Sequence, residues 1–379
     1  MAKVKAFALT HRGMEDIAAE EVELIAGSKA SAAAPGILVF EADYQKLCLL
    51  CYRAQSLVKV AVLLSEFGAA ATLHAALENA ESSLKDVDVM PWLGTNSFKV
   101  SCMRFGEHDY SSHDFAMALG KAVKARVENE LDLKKPGAFL FAAVSGSRGF
   151  FGVDLAGIDM SKRDYKVFAT ASSLKGTIAY ALVRLAGFSG KESLVDPFCK
   201  CGVIPIEAAA FATRYPLNFF RKDSLAFRSI AFPGIDSSEL LAAADKEVIK
   251  STASVFCADP DMRHVAAAKK NAKIAGLNKC ISFSRMDMEW LDTKFDEKQI
   301  DAVASYLNFR KGVDAAKVCR ETFYQADYIL SGTGKIALIS NRPDALAAAA
   351  KAYKFEVAHS RRLWTGKQEM EASVFSRKG

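Results

Sequence analysis

The sequence contains no apolar run as long as the ~18 residues that a membrane-spanning helix requires. Its first residues, Met-Ala-Lys-Val-Lys, also lack the apolar core of a secretory signal peptide. We therefore expect a protein that has no membrane partner and is located in the cytoplasm.

Histidine is scarce, with six copies in 379 residues, and the eight cysteines are not arranged as paired metal ligands. Cys48 and Cys51 have CxxC spacing, but the second pair that would complete a zinc site is missing. One apolar helix face accounts for both residues, and most other cysteines lie in apolar patterns typical of buried thiols. We expect neither a metal site nor disulfides.

The sequence carries a small excess of positive charge. The net charge is +6, with 31 bases against 23 acids in residues 169–379 and 19 against 21 before them. An anionic partner would therefore be attracted mainly to the second part of the chain. The hydrophobic fraction of 51% is typical of a globular protein, and the length indicates two or three domains.

The first part of the chain has the β-α-β-α-β pattern of a small ferredoxin-like domain, which we predict for residues 1–66. Alternating apolar residues indicate the strands, and helical spacing indicates the helices. A run of small residues at 30–35 is typical of a loop. The predicted strands are 4–10, 36–41 and 57–67, and the predicted helices are 13–26 and 44–52.

A second α/β unit follows over residues 67–168. Basic and aromatic side chains occur in its loops, and such side chains bind phosphates and stack on exposed bases. The candidate RNA contacts are Arg104, Arg163, Tyr165 and Lys166. A solvated loop accounts for the same composition. The predicted helices are 72–84 and 114–131, and the predicted strands are 98–105, 138–145 and 149–155.

The stretch LVDPFCKCGVIPIEAAAF, residues 194–211, predicts a strand, a tight turn and a helix, the order in which a nucleotide-type cofactor pocket opens. Free N–H groups at the start of such a helix suit an anionic group. Asp196 ends this strand, and Asp259 and Asp287 follow the next two predicted strands. Carboxyl ends of parallel strands meet at one edge of a sheet, so the three acids are candidates for binding a cofactor's hydroxyl and amino groups.

Residues 98–168, with FKV, RFGEHDYSS, GVDLAG and KRDYKVF, resemble a THUMP domain, an RNA-binding module usually fused to RNA-modifying enzymes. The stretches ASSLKGTIAYALVRLAG and VDPFCKCGVIPIEAA resemble the junction and first motif of THUMP-linked RNA guanine-N2 methyltransferases, which act on tRNA or rRNA. The resemblance implies an α/β, Rossmann-like class I methyltransferase domain over residues 169–379. It implies a seven-stranded, mostly parallel sheet with an antiparallel terminal hairpin that turns at Gly366.

The same resemblance implies S-adenosylmethionine as the cofactor. The positions of its first motif are occupied here by Asp196, Pro197, Phe198, Cys199 and Gly202. Thr177 lies on the helix that the family places beside the methionine end of the cofactor. Together with Asp259 and Asp287, these residues form the predicted cofactor site.

One departure from the family lies in that first motif, which normally reads Asp-Pro-x-Cys-Gly-Ser/Thr-Gly. Here Lys200 and Cys201 replace the central glycine and the hydroxyl residue. A lysine in the left-handed backbone conformation costs roughly 1–2 kcal/mol and adds bulk where a ligand would approach. The predicted cofactor site therefore differs from that of the family in the turn that contains Lys200 and Cys201.

The second departure follows the fourth strand, in IDAVASYLNFRKG. In the family an Asn or Asp accepts the hydrogens of the substrate amine, and an aromatic residue three positions later stacks on the base. Here Tyr306 stands at the acceptor position, Asn308 replaces a proline and Phe309 keeps the aromatic ring. These three are the candidate catalytic residues.

Together these features predict S-adenosylmethionine-dependent methylation of a base in structured RNA, most specifically guanine N2 in tRNA. Both altered positions lie in the loops that would carry the chemistry. An alternative is therefore a catalytically inactive RNA-binding protein, or a partner subunit of another enzyme, built on the same fold. A third hypothesis is a DNA adenine methylase, because such enzymes share the Asn-Pro-Pro-Tyr type of motif with this family. The THUMP-like half of the chain argues against it.

Overall fold

The computed structural model describes residues 3–170, 173–230, 235–365 and 368–378. The chain divides into two compact units, one comprising Met1–Met160 and Asn218–Lys246 and the other Ser161–Leu217 and Glu247–Gly379. Within the described ranges, no helix is both long enough and apolar enough to cross a membrane.

The secondary structure of the described residues alternates strands and helices along most of the chain. The strands are β1 (Val4–Leu9), β2 (Ser31–Ala34), β3 (Ile37–Ala42), β4 (Lys59–Gly68), β5 (Phe98–Phe105), β6 (Ala138–Ser145), β7 (Arg148–Asp154), β8 (Ser193–Asp196), β9 (Ser254–Asp259), β10 (Ile281–Arg285), β11 (Ile300–Leu307), β12 (Leu330–Ser340), β13 (Phe355–Thr365) and β14 (Gln368–Arg377). The helices are α1 (Glu15–Ala26), α2 (Tyr44–Arg53), α3 (Leu73–Ser83), α4 (Met90–Leu93), α5 (Ser112–Lys124), α6 (Gly176–Leu185), α7 (Val203–Thr213), α8 (Ser237–Lys246), α9 (Met262–Ile274), α10 (Ala315–Ile329) and α11 (Pro343–Ala352).

The first unit is built on one seven-stranded sheet with the order β2-β3-β1-β4-β7-β6-β5. Because successive side chains of a strand point to opposite faces, apolar residues accumulate on both faces of this sheet. Phe7, Phe141 and Phe150 pack together on one face, with ring centres about 6 Å apart, a spacing typical of paired aromatic rings. The helices cover the larger apolar cluster on the other face.

This sheet differs from the predicted division into a ferredoxin-like domain, residues 1–66, and a THUMP domain, residues 67–168. Strand β4 crosses the predicted boundary and is hydrogen-bonded to β1 on one side and to β7 on the other. The two segments therefore share one sheet within one compact unit, and a local pattern could not reveal this because the pairing partners are far apart in sequence. Residues 218–246 also belong to this unit.

Two local predictions are wrong in this unit. The run at 30–35 contains the edge strand β2, in which Ser31 pairs with Val39; its alanines have little strand propensity of their own, and the neighbouring strand determines their conformation. The helix predicted at 114–131 is α5, which begins after an N-cap at Ser111 and ends at Lys124. Residues beyond it form turns that lead to Leu131, which bridges to Phe98.

The second unit contains the other seven-stranded sheet, with the order β10-β9-β8-β11-β12-β14-β13. Most of its strands are separated by helices, and such crossovers make neighbouring strands parallel. The last two strands form the antiparallel hairpin that the sequence predicts, whereas Gly366 lies outside the described residues. The carboxyl ends of β10, β9, β8 and β11 are consecutive along one edge, where ligands bind in such sheets.

Candidate active site

Asp196, at the end of β8, is buried and connects the loop after β8 to the neighbouring strand β11. Its carboxylate accepts hydrogen bonds from the Ser305 hydroxyl at 2.6 Å and from the Phe198 backbone N–H at 3.2 Å. Ser305 lies in β11, which pairs with β8. Burial raises the pKa of Asp196 from its ordinary value of 3.8 to about 7, against the lowering effect of these two donors. The group therefore titrates near neutral pH.

Asp259, at the end of β9, already binds several groups of the protein. Its Oδ2 accepts the Lys200 backbone N–H at 3.0 Å, and its Oδ1 accepts the Asp261 N–H at 3.0 Å and lies 2.9 Å from His264 Nδ1. A carboxylate has about four acceptor positions. One position on Oδ2 is therefore left for a ligand, while the rest of the carboxylate fixes the loops after β8 and β9 to each other.

Lys200 adopts the backbone conformation that its position in the turn requires. Its φ is 49°, in the left-handed region. Its Nζ is buried, donates no hydrogen bond to any described residue, and lies 4.1 Å from the centre of the Tyr306 ring. Burial lowers the pKa of Lys200, and the charges of Asp196 and Asp259 act in the opposite direction. One departing position from each of the two family motifs is therefore in contact with the other.

Gly202 also has a left-handed backbone conformation, and it lies next to Ala268. Its φ is 79°, and a Cβ added there would lie 2.7 Å from the Cβ of Ala268 on α9. The glycine allows α7 to begin close to α9. The structure gives Gly202 a role in helix packing, and its contact with the cofactor stays a prediction.

The other residues of the first motif are mostly buried. Pro197 is buried, and Cys199 is 4% exposed with its backbone N–H bonded to the Ala258 carbonyl at 3.0 Å. The neighbouring thiol of Cys257 and burial raise the pKa of Cys199 well above its ordinary value. A thiol of this kind is protonated and inert, so Cys199 supports the turn and is not a nucleophile.

The end of β11 and the loop that follows it carry the predicted catalytic residues and border a cavity of about 320 Å³. The backbone N–H and carbonyl of Phe309 are both bound by the Asn341 side chain, at 3.0 Å each. The cavity is lined by Thr170, Phe198, Lys200, Asp261, Arg263, His264, Tyr306, Leu307, Asn308, Phe309, Arg310, Val313 and Val318. The structure therefore brings Tyr306, Asn308 and Phe309 to one wall of a single cavity.

A second, much smaller cavity of about 20 Å³ lies on the side of Asp196. It is lined by Ser173, Leu174, Asp196, Phe198, Cys199, Lys200, Cys201, Val203, Ile204 and Tyr306. Phe198, Lys200 and Tyr306 line both cavities. These three side chains form the boundary between the acid at the tip of β8 and the aromatic loop after β11.

The larger cavity has a cationic lining that sequence reasoning did not identify. Lys200, Arg263 and Arg310 lie along it together with the imidazole of His264, and its one acid, Asp261, is bound by Arg263 at 2.7 Å. Clustered positive charge attracts anionic groups such as phosphates. Their position after a strand end could have identified these side chains in the sequence, since Arg263 and His264 follow β9 and Arg310 follows β11.

Five of the predicted cofactor residues lie outside both cavity linings, namely Thr177, Pro197, Gly202, Asp259 and Asp287. Asp287, just past β10, is exposed and accepts the Glu289 N–H at 3.3 Å, so most of its acceptor positions remain available. Thr177 is fully buried in α6, and no described residue bonds to its hydroxyl. The structure thus places the three acids at adjacent strand ends, with only Asp196 beside a cavity.

The predicted RNA contacts Arg163 and Tyr165 are buried in the second unit. The Arg163 guanidinium makes two hydrogen bonds to Glu207, at 2.8 and 3.0 Å, and the Tyr165 hydroxyl donates to the same carboxylate at 2.7 Å. Burial, the larger cause, and the negative charge of Glu207 raise the pKa of Tyr165 well above its ordinary value. As a correction, these two side chains stabilise the fold and are not accessible to RNA.

The other two predicted RNA contacts are partly accessible. Lys166 donates to the Leu174 carbonyl at 2.6 Å, so it holds the segment that precedes α6. Arg104 donates to the Gly106 carbonyl at 2.9 Å, and its guanidinium lies 5.7 Å from the centre of the Tyr110 ring. Arg104 is half-buried and remains a candidate RNA contact in the first unit.

The sheet order of the second unit, its alternation of strands and helices and its terminal antiparallel hairpin define a class I methyltransferase fold. Two solved structures share the fold. TrmN from Thermus thermophilus is 23% identical with a TM-score of 0.71, and the match covers 99% of this chain and 100% of that chain. A putative methyltransferase complexed with SAH is 18% identical with a TM-score of 0.79, covering 100% and 99%.

Residues 163–369 match the family described as RMKL-like, methyltransferase domain, and the chain belongs to this family. The tRNA (guanine(6)-N2)-methyltransferase of Methanocaldococcus jannaschii is 27% identical over 91% of this chain and 92% of that protein. The ribosomal RNA large subunit methyltransferase K/L of Photobacterium profundum is 28% identical over 74% of this chain and 40% of that protein. The predicted methyltransferase family is confirmed, whereas the THUMP domain stays a prediction.

Proposed function

We propose that the protein transfers a methyl group from S-adenosylmethionine to the exocyclic N2 of a guanine in tRNA. One observation carries the proposal: the loops after β8 and β11 meet through Phe198, Lys200 and Tyr306, so a cofactor beside Asp196 and a base beside Phe309 would share one boundary. A cytoplasmic location, which a tRNA substrate calls for, is part of the proposal.

The chemistry of the side chains fits the cofactor. Asp287 and the remaining acceptor position on Asp259 suit hydroxyl and amino groups, and Asp196 suits a cationic group when it is ionised. The Thr177 hydroxyl is buried and has no partner among the described residues. At the start of α7, the N–H groups of Val203 and Ile204 have no acceptor within the helix. When bound, the cofactor supplies an electrophilic methyl group on a sulfonium.

The chain's own part in the reaction is to hold the target base. Phe309 and Tyr306 are half-buried aromatic residues on the cavity wall, and a base taken out of its stack binds well to such rings. Asn308 lies between them and offers an amide oxygen to the amine. Such a site raises the rate mainly by orienting the lone pair of the amine toward the methyl group.

The RNA substrate is supported by the relatives and by charge. The Methanocaldococcus relative aligns over most of both chains, and the cationic lining of the larger cavity suits a phosphate next to the target base. Arg104 and the THUMP-like segment, residues 67–168, are proposed to bind the tRNA away from the site.

A second candidate function is favoured by the contact between Lys200 and Tyr306. The ammonium occupies the boundary where the family has a small residue, and the tyrosine replaces the acceptor of the substrate amine. On this reading the protein binds RNA without catalysis, or serves as a partner subunit. The family fold and the preserved strand-end acids favour the enzyme.

The test combines cofactor binding with methyl transfer. Isothermal titration with S-adenosylmethionine and its demethylated product measures binding. Tritium transfer from labelled cofactor is then measured with unfractionated tRNA from a strain that lacks its own guanine-N2 methyltransferase. Nucleoside analysis of the product is expected to show N2-methylguanosine.

Matched substrates separate the alternatives. Ribosomal RNA and double-stranded DNA are run in parallel, and methylation of adenine in DNA would support a DNA methylase instead. Absence of binding at millimolar cofactor, with retained tRNA binding, would establish the non-catalytic candidate. Cofactor binding without transfer to any RNA would place the defect in the loop around Tyr306.

A further inference from the structure

The ammonium of Lys200 is a buried charge that lacks a hydrogen-bond partner among the described residues. Its Nζ is less than 1 Å² exposed and lies 4.1 Å from the centre of the Tyr306 ring. A ring face compensates a desolvated ammonium only in part. The carboxylates of Asp196 and Asp259 act on this charge without a hydrogen bond to it, so the position favours an added anion that can bond to the ammonium directly.

The surroundings identify where such an anion would lie. Lys200 lines the small cavity together with Leu174, Asp196 and the first residues of α7. The start of a helix carries partial positive charge and unbonded N–H groups, which also favour an anion. On its other side Lys200 faces Arg310 across the larger cavity, which adds positive charge.

Only one group of the proposed cofactor is anionic. Its sulfonium and its amine are cationic at neutral pH, and its adenosine is neutral, whereas the α-carboxylate of its methionine part carries the negative charge. The small cavity holds about one water molecule as it stands, so the Lys200 side chain would have to move off the Tyr306 ring for a carboxylate to enter.

We propose that Lys200 is a binding residue for the α-carboxylate of the cofactor, replacing the contact that a glycine at this position cannot make. The inference rests on the proposed function. It gives a function to Lys200, which replaces a glycine of the family motif. The Tyr306 ring then contacts the ammonium when no cofactor is bound.

The test compares two ligands that differ in the amino-acid part. S-adenosylhomocysteine has a neutral sulfur and keeps the α-carboxylate, whereas 5′-methylthioadenosine lacks the amino-acid part altogether. Their affinities are measured by isothermal titration for the wild type and for Lys200→Met, which keeps the length of the side chain without its charge. Lys270→Met is the control, because Lys270 lies 4.8 Å from the Phe168 ring but lines neither cavity.

Lys200→Met is expected to weaken S-adenosylhomocysteine binding by about tenfold or more, the size of a lost charge-assisted hydrogen bond, and to change methylthioadenosine binding less than about twofold. Lys270→Met is expected to change neither affinity. If Lys200→Met does not fold, judged by thermal melting and methylthioadenosine binding, Lys200→Gln is measured in its place.

Unchanged or tighter S-adenosylhomocysteine binding by the variant would overturn the inference, because Lys200 would then only obstruct the cavity. Equal weakening for both ligands would also overturn it, since a carboxylate contact cannot affect a ligand without one. A wild type that binds neither ligand would instead refute the proposed function, and the inference would fail with it.

Discussion

The ammonium of Lys200 lies 4.1 Å from the centre of the Tyr306 ring, and this contact joins one departure in the first family motif to one departure in the second. Lys200 follows β8 and Tyr306 lies near the end of β11, two strands that are paired in the sheet. The two replacements therefore form one altered wall. Residues in contact show non-additive effects when changed, so each should be studied with the other.

Replacing Phe309 by alanine is expected to lower methyl transfer to tRNA by about tenfold to a hundredfold, because stacking of one base on an aromatic ring contributes ~1–3 kcal/mol. Phe309 lines the larger cavity and not the smaller one. Binding of S-adenosylhomocysteine should therefore be unchanged. Initial rates at subsaturating tRNA, with parallel titration of the cofactor product, measure both effects.

The control for this variant is Tyr324→Ala. Tyr324 is an aromatic residue on α10 that is 53% exposed and lines neither cavity. Its replacement should leave transfer unchanged. Equal rates for Phe309→Ala and the wild type would contradict the assignment of Phe309 to the base.

Replacing Glu207 by alanine is expected to destabilise the second unit by about 3–5 kcal/mol, because it leaves the buried Arg163 guanidinium without its main counter-ion. The side chains of this pair are 1% and 0% exposed. Chemical unfolding followed by fluorescence measures the loss.

An exposed ion pair provides the comparison for Glu207. Glu289 and Lys317 have side chains that are 45% and 62% exposed, and Glu289→Ala should change the free energy of unfolding by less than about 1 kcal/mol. Similar effects of the two substitutions would show that the Arg163 network does not stabilise the fold as its burial indicates.

Much of the second unit could be predicted because its determinants are local. Apolar runs that end in Asp196, Asp259 and Asp287 marked the carboxyl ends of three strands, and the structure places all three at adjacent strand ends. The rule that parallel strands end at one edge then located the site. The same rule could have found Asn341, which follows β12 and holds the Phe309 loop.

The errors concern contacts between residues that are far apart in the sequence. The basic and aromatic character of Arg163 and Tyr165 is compatible both with RNA binding and with burial, and only the position of Glu207 decides between them. Likewise, the motif predicts a ligand contact for Gly202 but does not indicate its packing against Ala268. The spacing of residues in the sequence does not reveal that Glu207 and Ala268 lie next to these residues.

Replacing Gly202 by alanine is expected to destabilise the second unit by about 1–3 kcal/mol more than replacing Gly187, because of the added overlap with Ala268. The two glycines have nearly the same φ, +79° and +81°. An added Cβ at Gly187 meets only the Lys335 side chain, at 3.6 Å, which is ordinary contact. Backbone strain is therefore matched, and the difference in the free energy of unfolding measures the packing effect.

Ligand binding separates the two roles of Gly202. If the residue acts only in helix packing, the stability difference between Gly202→Ala and Gly187→Ala should be the same with and without S-adenosylhomocysteine, after correction for mass action. Loss of cofactor binding in a variant of normal stability would instead support a contact between Gly202 and the cofactor.

The raised pKa of Asp196 predicts how stability depends on pH. The carboxyl group titrates at about 7 in the folded chain and near 3.8 when unfolded. Between these values the folded state keeps a proton that the unfolded state releases, so stability falls as pH rises from about 4 to about 7 and levels off above. The full contribution is roughly 4 kcal/mol, from about three pKa units at ~1.4 kcal/mol each.

Asp196→Asn removes this titration and leaves a group that can accept the Ser305 and Phe198 hydrogen bonds through its amide oxygen. Urea unfolding of the wild type and the variant at pH 4, 5.5 and 7 measures the difference between them. Other acids contribute equally to both proteins, so the wild type should lose stability relative to the variant across this range. Parallel pH profiles would mean that Asp196 is ionised in the folded chain throughout, which would require a nearby positive charge such as Lys200 to offset the cost of its burial.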